Sequence, residues 1–280
     1  MEVGILGLAA SGKSTLFKLL TGQPAAPTGG RRDGAQVGMA RVPDRRLDAL
    51  SALFKPQKTT PATVRYVDAP GIPEEHRREA AFNLPELRAA DVLLIVLRAF
   101  ADDAVAHPMG AVDPLRDLGF VEEEFILQDQ LVIERRLERL TRDLAKRKSP
   151  ELLREQELLG RCLAVCERPA PLRGEKLGTD ELKILRGFTF LSLKPMLVVL
   201  NVGERELAGN AFADPGWAAW RARPGMAFTQ VCATLEGELA ELAGDDAAAF
   251  MADLGIRESA LDRVIRESYR LLGLISFFTV

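Results

Sequence analysis

Cysteine is scarce in this chain: Cys162, Cys166 and Cys232 are the only three in 280 residues. An odd, sparse set without metal-ligand company fits reduced thiols in a cytosol. Cys162 and Cys166 stand four apart, on one face of an expected helix, where two small soft side chains belong to a core. An excess of either charge is also missing. Lys and Arg number 37 against 40 Asp and Glu, a net of −3, so nothing draws the whole chain to nucleic acid or to an anionic membrane, although local patches remain open. No apolar run approaches membrane-spanning length. The N-terminus enters a strand at once, with no basic leader and no cleavable apolar segment. Together these absences point to a cytoplasmic protein with no membrane partner. What is plentiful is apolar side chain, 47% of residues, enough to core one large domain or one domain with an insertion.

The densest chemistry lies near the start, in Gly7-Leu8-Ala9-Ala10-Ser11-Gly12-Lys13-Ser14-Thr15. It fits the phosphate-loop pattern G-x-x-x-x-G-K-[ST], between the apolar run Val3 to Leu8 and a helical stretch that lasts until Gly22. Strand, glycine loop and helix are what phosphate chemistry needs. The glycines let successive N–H groups converge on one anion, and the helix N-terminus adds unpaired donors and its positive end. Ala10, Ser11, Gly12, Lys13, Ser14 and Thr15 are therefore the expected phosphate-binding residues. Lys13 would reach the β- and γ-phosphates, and the Ser14 hydroxyl would ligate Mg²⁺.

Pro24 to Gly34 reads as a loop in the place of switch I, with Thr28, Arg31 and Arg32 as phosphate or metal candidates beside the plainer reading of a solvated basic loop. Gln36 to Val42 reads as a strand, and Pro43-Asp44 opens a helix that Lys55-Pro56 ends. Thr63 to Val67 is a strand running into Asp68-Ala69-Pro70-Gly71. There Asp68 would hold Mg²⁺ through water and the Gly71 N–H would meet the γ-phosphate. Ile72 stands where Ras-like enzymes carry a water-orienting glutamine, which predicts slow hydrolysis or another catalytic group. Val92 to Leu97 reads as a central parallel strand, followed by a loop that contains His107.

From Glu122 to about Arg168 apolar residues recur at three, four and seven amid dense charge. This predicts two antiparallel helices joined at Lys148-Ser149-Pro150, a coiled-coil-like arm. Its basic tip, Lys146-Arg147-Lys148, could touch RNA or be a solvated face. Met196 to Leu200 is another buried strand, ending in Asn201-Val202-Gly203-Glu204, where G proteins carry N-K-x-D. With Val202 and Glu204 in place of lysine and aspartate the guanine clamp is weakened, and adenine becomes plausible. Ala227 to Val231 is a sixth strand, and Cys232-Ala233-Thr234 would lie over the base. The expected division is a first part over 1–117, a helical insertion over 118–188 and a second part over 189–280.

Gly4-Ile5-Leu6-Gly7 into Gly12-Lys13-Ser14-Thr15, then Val42-Pro43-Asp44, Tyr66-Val67-Asp68, Asn201-x-x-Glu204, Val231-Cys232-Ala233 and Asp253-Leu254-Gly255-Ile256, resemble the YchF/Obg-like ATPases of the translation-factor class. The resemblance runs over essentially the whole chain. It implies an α/β fold, a Ras-like P-loop NTPase domain with a mostly parallel six-stranded sheet and an α-helical coiled-coil insertion. It implies ATP (or GTP) and Mg²⁺ as ligands, Asn201, Val202, Glu204, Cys232 and Ala233 at the base, Ser14 and Asp68 at the metal, and association with ribosomes. A histidine after the fourth strand is implicated in hydrolysis in that family, and His107 falls there. The alternative is a binding module without turnover whose arm engages a protein or RNA partner. The family loop usually reads N-V-G-K-S where this chain has Ala10-Ser11-Gly12-Lys13-Ser14, its switch I threonine aligns with Arg32, and its C-terminal TGS domain would begin where this sequence stops.

Overall fold

The computed structural model describes residues 1–22, 36–69, 85–207, 209–274 and 278. In chain order these form β1 (Glu2–Gly7), α1 (Lys13–Thr21), β2 (Gln36–Arg41), α2 (Arg45–Phe54), β3 (Thr63–Asp68), α3 (Pro85–Ala89), β4 (Val92–Ala99), α4 (Pro114–Lys146) and α5 (Pro150–Cys166). They continue through α6 (Thr179–Leu185), β5 (Met196–Val202), α7 (Glu204–Leu207), α8 (Gly216–Arg221), β6 (Met226–Val231), α9 (Ala233–Glu241), α10 (Gly244–Asp253) and α11 (Ala260–Leu271). The strands make one sheet in the order β2-β3-β1-β4-β5-β6. Only β2 runs antiparallel to its neighbour, with Gln36 opposite Asp68, while Val3 pairs in parallel with Tyr66 and Val92, and Leu94 with Leu197. The fold is thus the Ras-like P-loop GTPase fold.

Both faces of the sheet are covered at its centre, which is why β4 and β5 are buried along nearly their whole length, whereas the edge strand β2 alternates buried with exposed residues. In β4 the odd positions Leu93, Ile95 and Leu97 enter a core with Leu118, Phe125 and Trp217. The even positions Val92, Leu94 and Val96 enter a second core with Phe17, Val264 and Ile265. All six are at most 1% exposed. Fully burying such side chains contributes about 1.5–3 kcal/mol each.

A third core belongs to the helical arm: Ile126, Ile133 and Leu140 of α4 meet Leu158, Leu159, Cys162 and Cys166 of α5. Burial pushes the Cys162 thiol up to about 11 and that of Cys166 to about 12, so both stay protonated packing groups. Among the described residues no cluster of His, Cys, Asp and Glu could hold a metal ion by itself. Arg136 forks onto Glu155 across the arm, at 2.7 and 2.8 Å. Ser149 caps α5 through the Leu152 N–H, and Pro150 sits in its first turn, where no N–H is needed.

Helix α4 starts well before the charged pattern at Glu122. Asp113 caps it, accepting from the Arg116 N–H at 3.1 Å. Leu118 and Val121 in this first stretch are fully buried against the sheet, so its sequence lacks the polar spacing that marks the arm. Helices α3, α8 and α10 were not anticipated either. They are short or rich in Gly, Ala and Asp, and carry no sustained apolar period.

Two buried carboxylates on α4 fasten the arm to the sheet. Glu122 contacts the guanidinium groups of both Arg173 and Arg223, and Arg223 also lies over the Trp220 ring at 3.9 Å. Asp129, two turns on, accepts from the Leu191 and Ser192 N–H groups at 2.9 and 2.7 Å. Burial pushes its carboxyl up to about 6, against the pull of those donors and of Arg88. A native pKa above the ordinary 3.8 means that the folded state holds the proton more tightly. That stabilisation is complete below 3.8 and is lost as the pH rises through about 6. Urea denaturation should show a component on the order of 1–3 kcal/mol that declines between about pH 4 and 6.5 and is missing from Asp129→Asn.

Candidate functional site

The loop between β1 and α1 is held in an unusual backbone shape. Gly12 takes φ 86°, ψ 11°, a left-handed conformation that side chains other than hydrogen rarely adopt, and it stands as the N-cap of α1 with no side-chain hydrogen bond. α2, α4, α5 and α11 are capped by Asp44, Asp113, Ser149 and Ser259. α1, like α8, α9 and α10, has no side-chain cap, so its first N–H groups are open to an anion. Ala10 is also left-handed, at φ 60°. That geometry costs a non-glycine residue about 1–2 kcal/mol, and the asparagine usual in the resembling family tolerates it better.

Lys13 is 8% exposed. Its Nζ contacts the Asp68 carboxylate, donates to the Ala69 carbonyl at 2.7 Å and lies 3.5 Å from Ser14 Oγ. Ser14 Oγ in turn donates to the other Asp68 oxygen at 3.0 Å. The three side chains assigned to phosphate and metal are thus in mutual contact, although Asp68 is 54 residues beyond Ser14. Parallel pairing of β1 with β3, Ile5 opposite Asp68, brings them together. A hydroxyl and a carboxylate side by side are hard oxygen donors. This set suits Mg²⁺, which takes one or two protein oxygens and leaves its other positions to water and phosphate. Ser14 and Thr15 are exposed. Ser11 is buried, and its Oγ has no hydrogen-bond partner among the described residues.

Asn201, at the end of β5, is 4% exposed. Its Nδ2 donates to the Ser11 carbonyl at 3.0 Å and its Oδ1 accepts from the Ala233 N–H at 3.2 Å. Both ends of the amide are used to tie the phosphate loop to the start of α9, a positioning role that the motif comparison did not reveal. Val202, Cys232 and Ala233 are buried, whereas Glu204 is exposed in the first turn of α7. Burial raises the Cys232 thiol, and the carboxylates of Glu204 and Glu236 add to the effect. Of the residues assigned to the base, Cys232 is the one that lines a cleft of about 290 Å³, together with Leu207, Gln230, Leu235 and Ile256.

His107 is 8% exposed. Its Nδ1 accepts from the Met109 N–H at 3.1 Å, so the neutral ring carries its proton on Nε2. That nitrogen lies 3.0 Å from Asp117 Oδ2, without the alignment of a hydrogen bond. Arg116 binds the same carboxylate and the carbonyls of Met109 and Ala111. Buried Arg98 gathers the carbonyls of Phe100, Asp102 and Val105. These two arginines shape the loop, and no periodic signal in the sequence marks them. Thr28, Arg31, Arg32, Gly71, Ile72 and the charged stretch after Pro73 lie outside the described residues.

A mostly parallel sheet of this order, with a left-handed glycine before the first helix and a lysine, hydroxyl and carboxylate gathered there, defines a P-loop nucleotide-binding protein. The family described as 50S ribosome-binding GTPase matches residues 2–113. The ribosome-binding ATPase YchF of Bacillus subtilis is 35% identical over 291 residues, covering 100% of this chain and 78% of its own. That of Haemophilus ducreyi is 36% identical over 283 residues, covering 99% and 77%. The chain belongs to the YchF family. The structure of the Schizosaccharomyces pombe YchF GTPase has a TM-score of 0.78 over 97% of this chain and 75% of its own, and at 24% identity it shows a shared fold.

A Cβ added at Gly12 would lie 2.2 Å from Asn201 Nδ2. Asn201→Ala leaves a buried donor and acceptor unpaired and should cost about 2–4 kcal/mol in denaturant. Gly12→Ala should cost less in the Asn201→Ala background than in the parent, a coupling that a double-mutant cycle measures.

Proposed function

We propose that this chain is a magnesium-dependent nucleoside-triphosphate switch that binds ATP, with GTP second, hydrolyses it slowly and works with the ribosome in the cytoplasm. The contact of Lys13, Ser14 and Asp68 at the uncapped start of α1 carries this reading. Lys13 would neutralise the β- and γ-phosphates, exchanging its carboxylate partner for them, while the loop N–H groups cradle the same oxygens. Ser14 and Asp68 would hold Mg²⁺, whose charge offsets that of the triphosphate. Glu204 and the loop at Cys232 and Ala233 would meet the base. Glu204 is exposed, where a base could reach it, and the ATPase names of the curated relatives favour adenine. The same names, with the family matched over residues 2–113, support a ribosomal partner. No described helix is long and apolar enough to cross a membrane.

One observation favours the second reading, a nucleotide-dependent binding module without useful turnover. The His107 ring is buried, with Nδ1 accepting from the Met109 N–H and Nε2 beside the Asp117 carboxylate without a hydrogen bond. A ring so buried must turn outward before it can move a proton at the phosphate. Single-turnover phosphate release from Mg·ATP separates the readings. Loss of release in His107→Gln with binding retained supports hydrolysis through this ring, and release at the parent rate removes it from the chemistry.

Calorimetry should find Mg·ATP bound more tightly than Mg·GTP. Lys13→Ala should weaken ATP at least about 100-fold, as expected for loss of charge-assisted contacts to phosphate in a buried site. Equal ATP affinity in that variant contradicts the phosphate-site assignment, and a tenfold preference for GTP contradicts the base assignment.

A further inference from the structure

We infer that Gln230 is a positioning residue for base recognition: its side-chain amide holds the segment bearing Glu204 against the loop at Cys232 and Ala233, and so sets the preference between adenine and guanine nucleotides. The inference rests on the base assignment proposed above. Gln230 is the last residue but one of β6, two positions before Cys232. Its Oε1 accepts from the Ala211 N–H at 3.0 Å, and its Nε2 donates to the Leu207 carbonyl at 3.1 Å and the Gly209 carbonyl at 3.2 Å. All three partners belong to the stretch that ends α7 and follows it, 19 to 23 residues earlier in the chain. Both polar atoms of the amide are thus turned onto the other half of the base site.

Helix α7 has little else to place it. It is four residues long and buries none of them. A single turn is not stable by itself, because fixing its residues costs more than one hydrogen bond returns. Leu207 is half-buried against the core on one face of the sheet, a contact without direction. Among the described residues, no side chain from outside 204–211 other than that of Gln230 hydrogen-bonds to this stretch. The far side of the base site is tied down repeatedly. The Ala233 N–H donates to Asn201. The Gln230 carbonyl and the Thr229 hydroxyl both accept from Arg263 of α11 at 2.8 Å. Glu236, one turn past the loop, accepts from Ser259 Oγ and the Ala260 N–H, both at 2.7 Å. Gln230 therefore links a fixed wall to a loose one. The two walls are within electrostatic reach of each other: after burial, the Glu204 carboxylate is among the charges that raise the Cys232 thiol.

What a carboxylate reads in a base depends on where it is held. An ionised carboxylate only accepts hydrogen bonds. Guanine offers it two neighbouring donors, N1–H and N2–H, whereas adenine offers the N6 amine beside N1, an acceptor that repels it. A glutamate free to move settles both oxygens on guanine. A glutamate held so that one oxygen meets a single donor gives up that advantage and leaves adenine favoured. Discrimination is a difference of two affinities, so a residue that touches neither base sets it by holding the residue that does.

The test is calorimetry of the intact chain with Mg·ATP, Mg·GTP and Mg·tripolyphosphate, which has the phosphates without the base. Gln230→Met keeps the length of the side chain and removes its three hydrogen bonds. It should weaken ATP about 10-fold, change GTP by less than about 3-fold and leave tripolyphosphate at the parent's affinity. A residue that merely stabilised the fold would lower the melting temperature and move no ratio. An ATP-to-GTP ratio equal to the parent's in folded Gln230→Met overturns the inference, as does loss of tripolyphosphate binding in step with ATP. Gln230→Glu still accepts from the Ala211 N–H but sets a charge against the two carbonyls. It should shift the ratio the same way, and it is the deciding variant where Gln230→Met does not fold. A parent that binds none of the three ligands defeats the phosphate site itself. A parent that binds ATP while the ratio stays fixed in the variants defeats the role of Gln230 alone. A parent that prefers GTP defeats the adenine assignment, and a ratio that still moves in the variants upholds Gln230.

Discussion

A single buried amide holds the phosphate loop in place. Asn201 reaches from the end of β5 to the Ser11 carbonyl on one side and to the Ala233 N–H on the other. Gly12 has no side chain because that amide occupies the space where one would stand. On the far side of the loop, Lys13 is anchored by Asp68 and the Ala69 carbonyl. The loop is therefore gripped from two strands that flank β1 at different distances in the sheet. Gly12 takes its left-handed shape without steric cost, whereas Ala10 at φ 60° is the strained residue of the loop, a conformation that persists where the surroundings hold it.

The same economy of buried polar groups governs how the arm joins the sheet. A 33-residue helix would be free to swing if only its apolar face touched the domain. Glu122 and Asp129, two turns apart on one side, instead bind two guanidinium groups and two backbone N–H groups from the returning chain. Burial leaves these carboxylates few alternatives, so the angle of the arm is specified by hydrogen bonds rather than by contact area. Helix α3 joins this root to the nucleotide side. Its Leu87 packs so closely on β1 that a Cβ at Gly4 would come within 2.8 Å of it, and its Arg88 stands 3.7 Å from Asp129. The elements next to the phosphate loop and the foot of the arm are thus in one continuous packed layer.

Much of this was legible before any coordinates. The strands Val92 to Leu97 and Met196 to Leu200 announced themselves as unbroken β-branched and leucine runs, because a parallel sheet with both faces covered tolerates little else. The heptad of Ile126, Ile133 and Leu140 and the break at Ser149-Pro150 foretold the arm, since local rules of helix pairing and capping apply there without help from the rest of the chain. The first turns of α4 did not show, because residues buried against a sheet need no polar stripe. Asn201 was read as a base ligand from its motif, and its role as a tether between two loops was hidden. The partners of a side-chain amide depend on which backbone groups arrive beside it.

By itself the sequence determined that this chain has a phosphate loop on a strand-to-helix turn, an apolar parallel sheet and a charged two-helix arm. Each of those follows from residue type and spacing within a few turns of chain. Only the tertiary structure decided that Lys13, Ser14 and Asp68 touch, that His107 is buried beside Asp117, and that the arm's root is clamped by Glu122 and Asp129. Those contacts join residues up to 101 positions apart. Their formation rests on strand register, burial and the requirement that enclosed charges find partners, none of which a local pattern records.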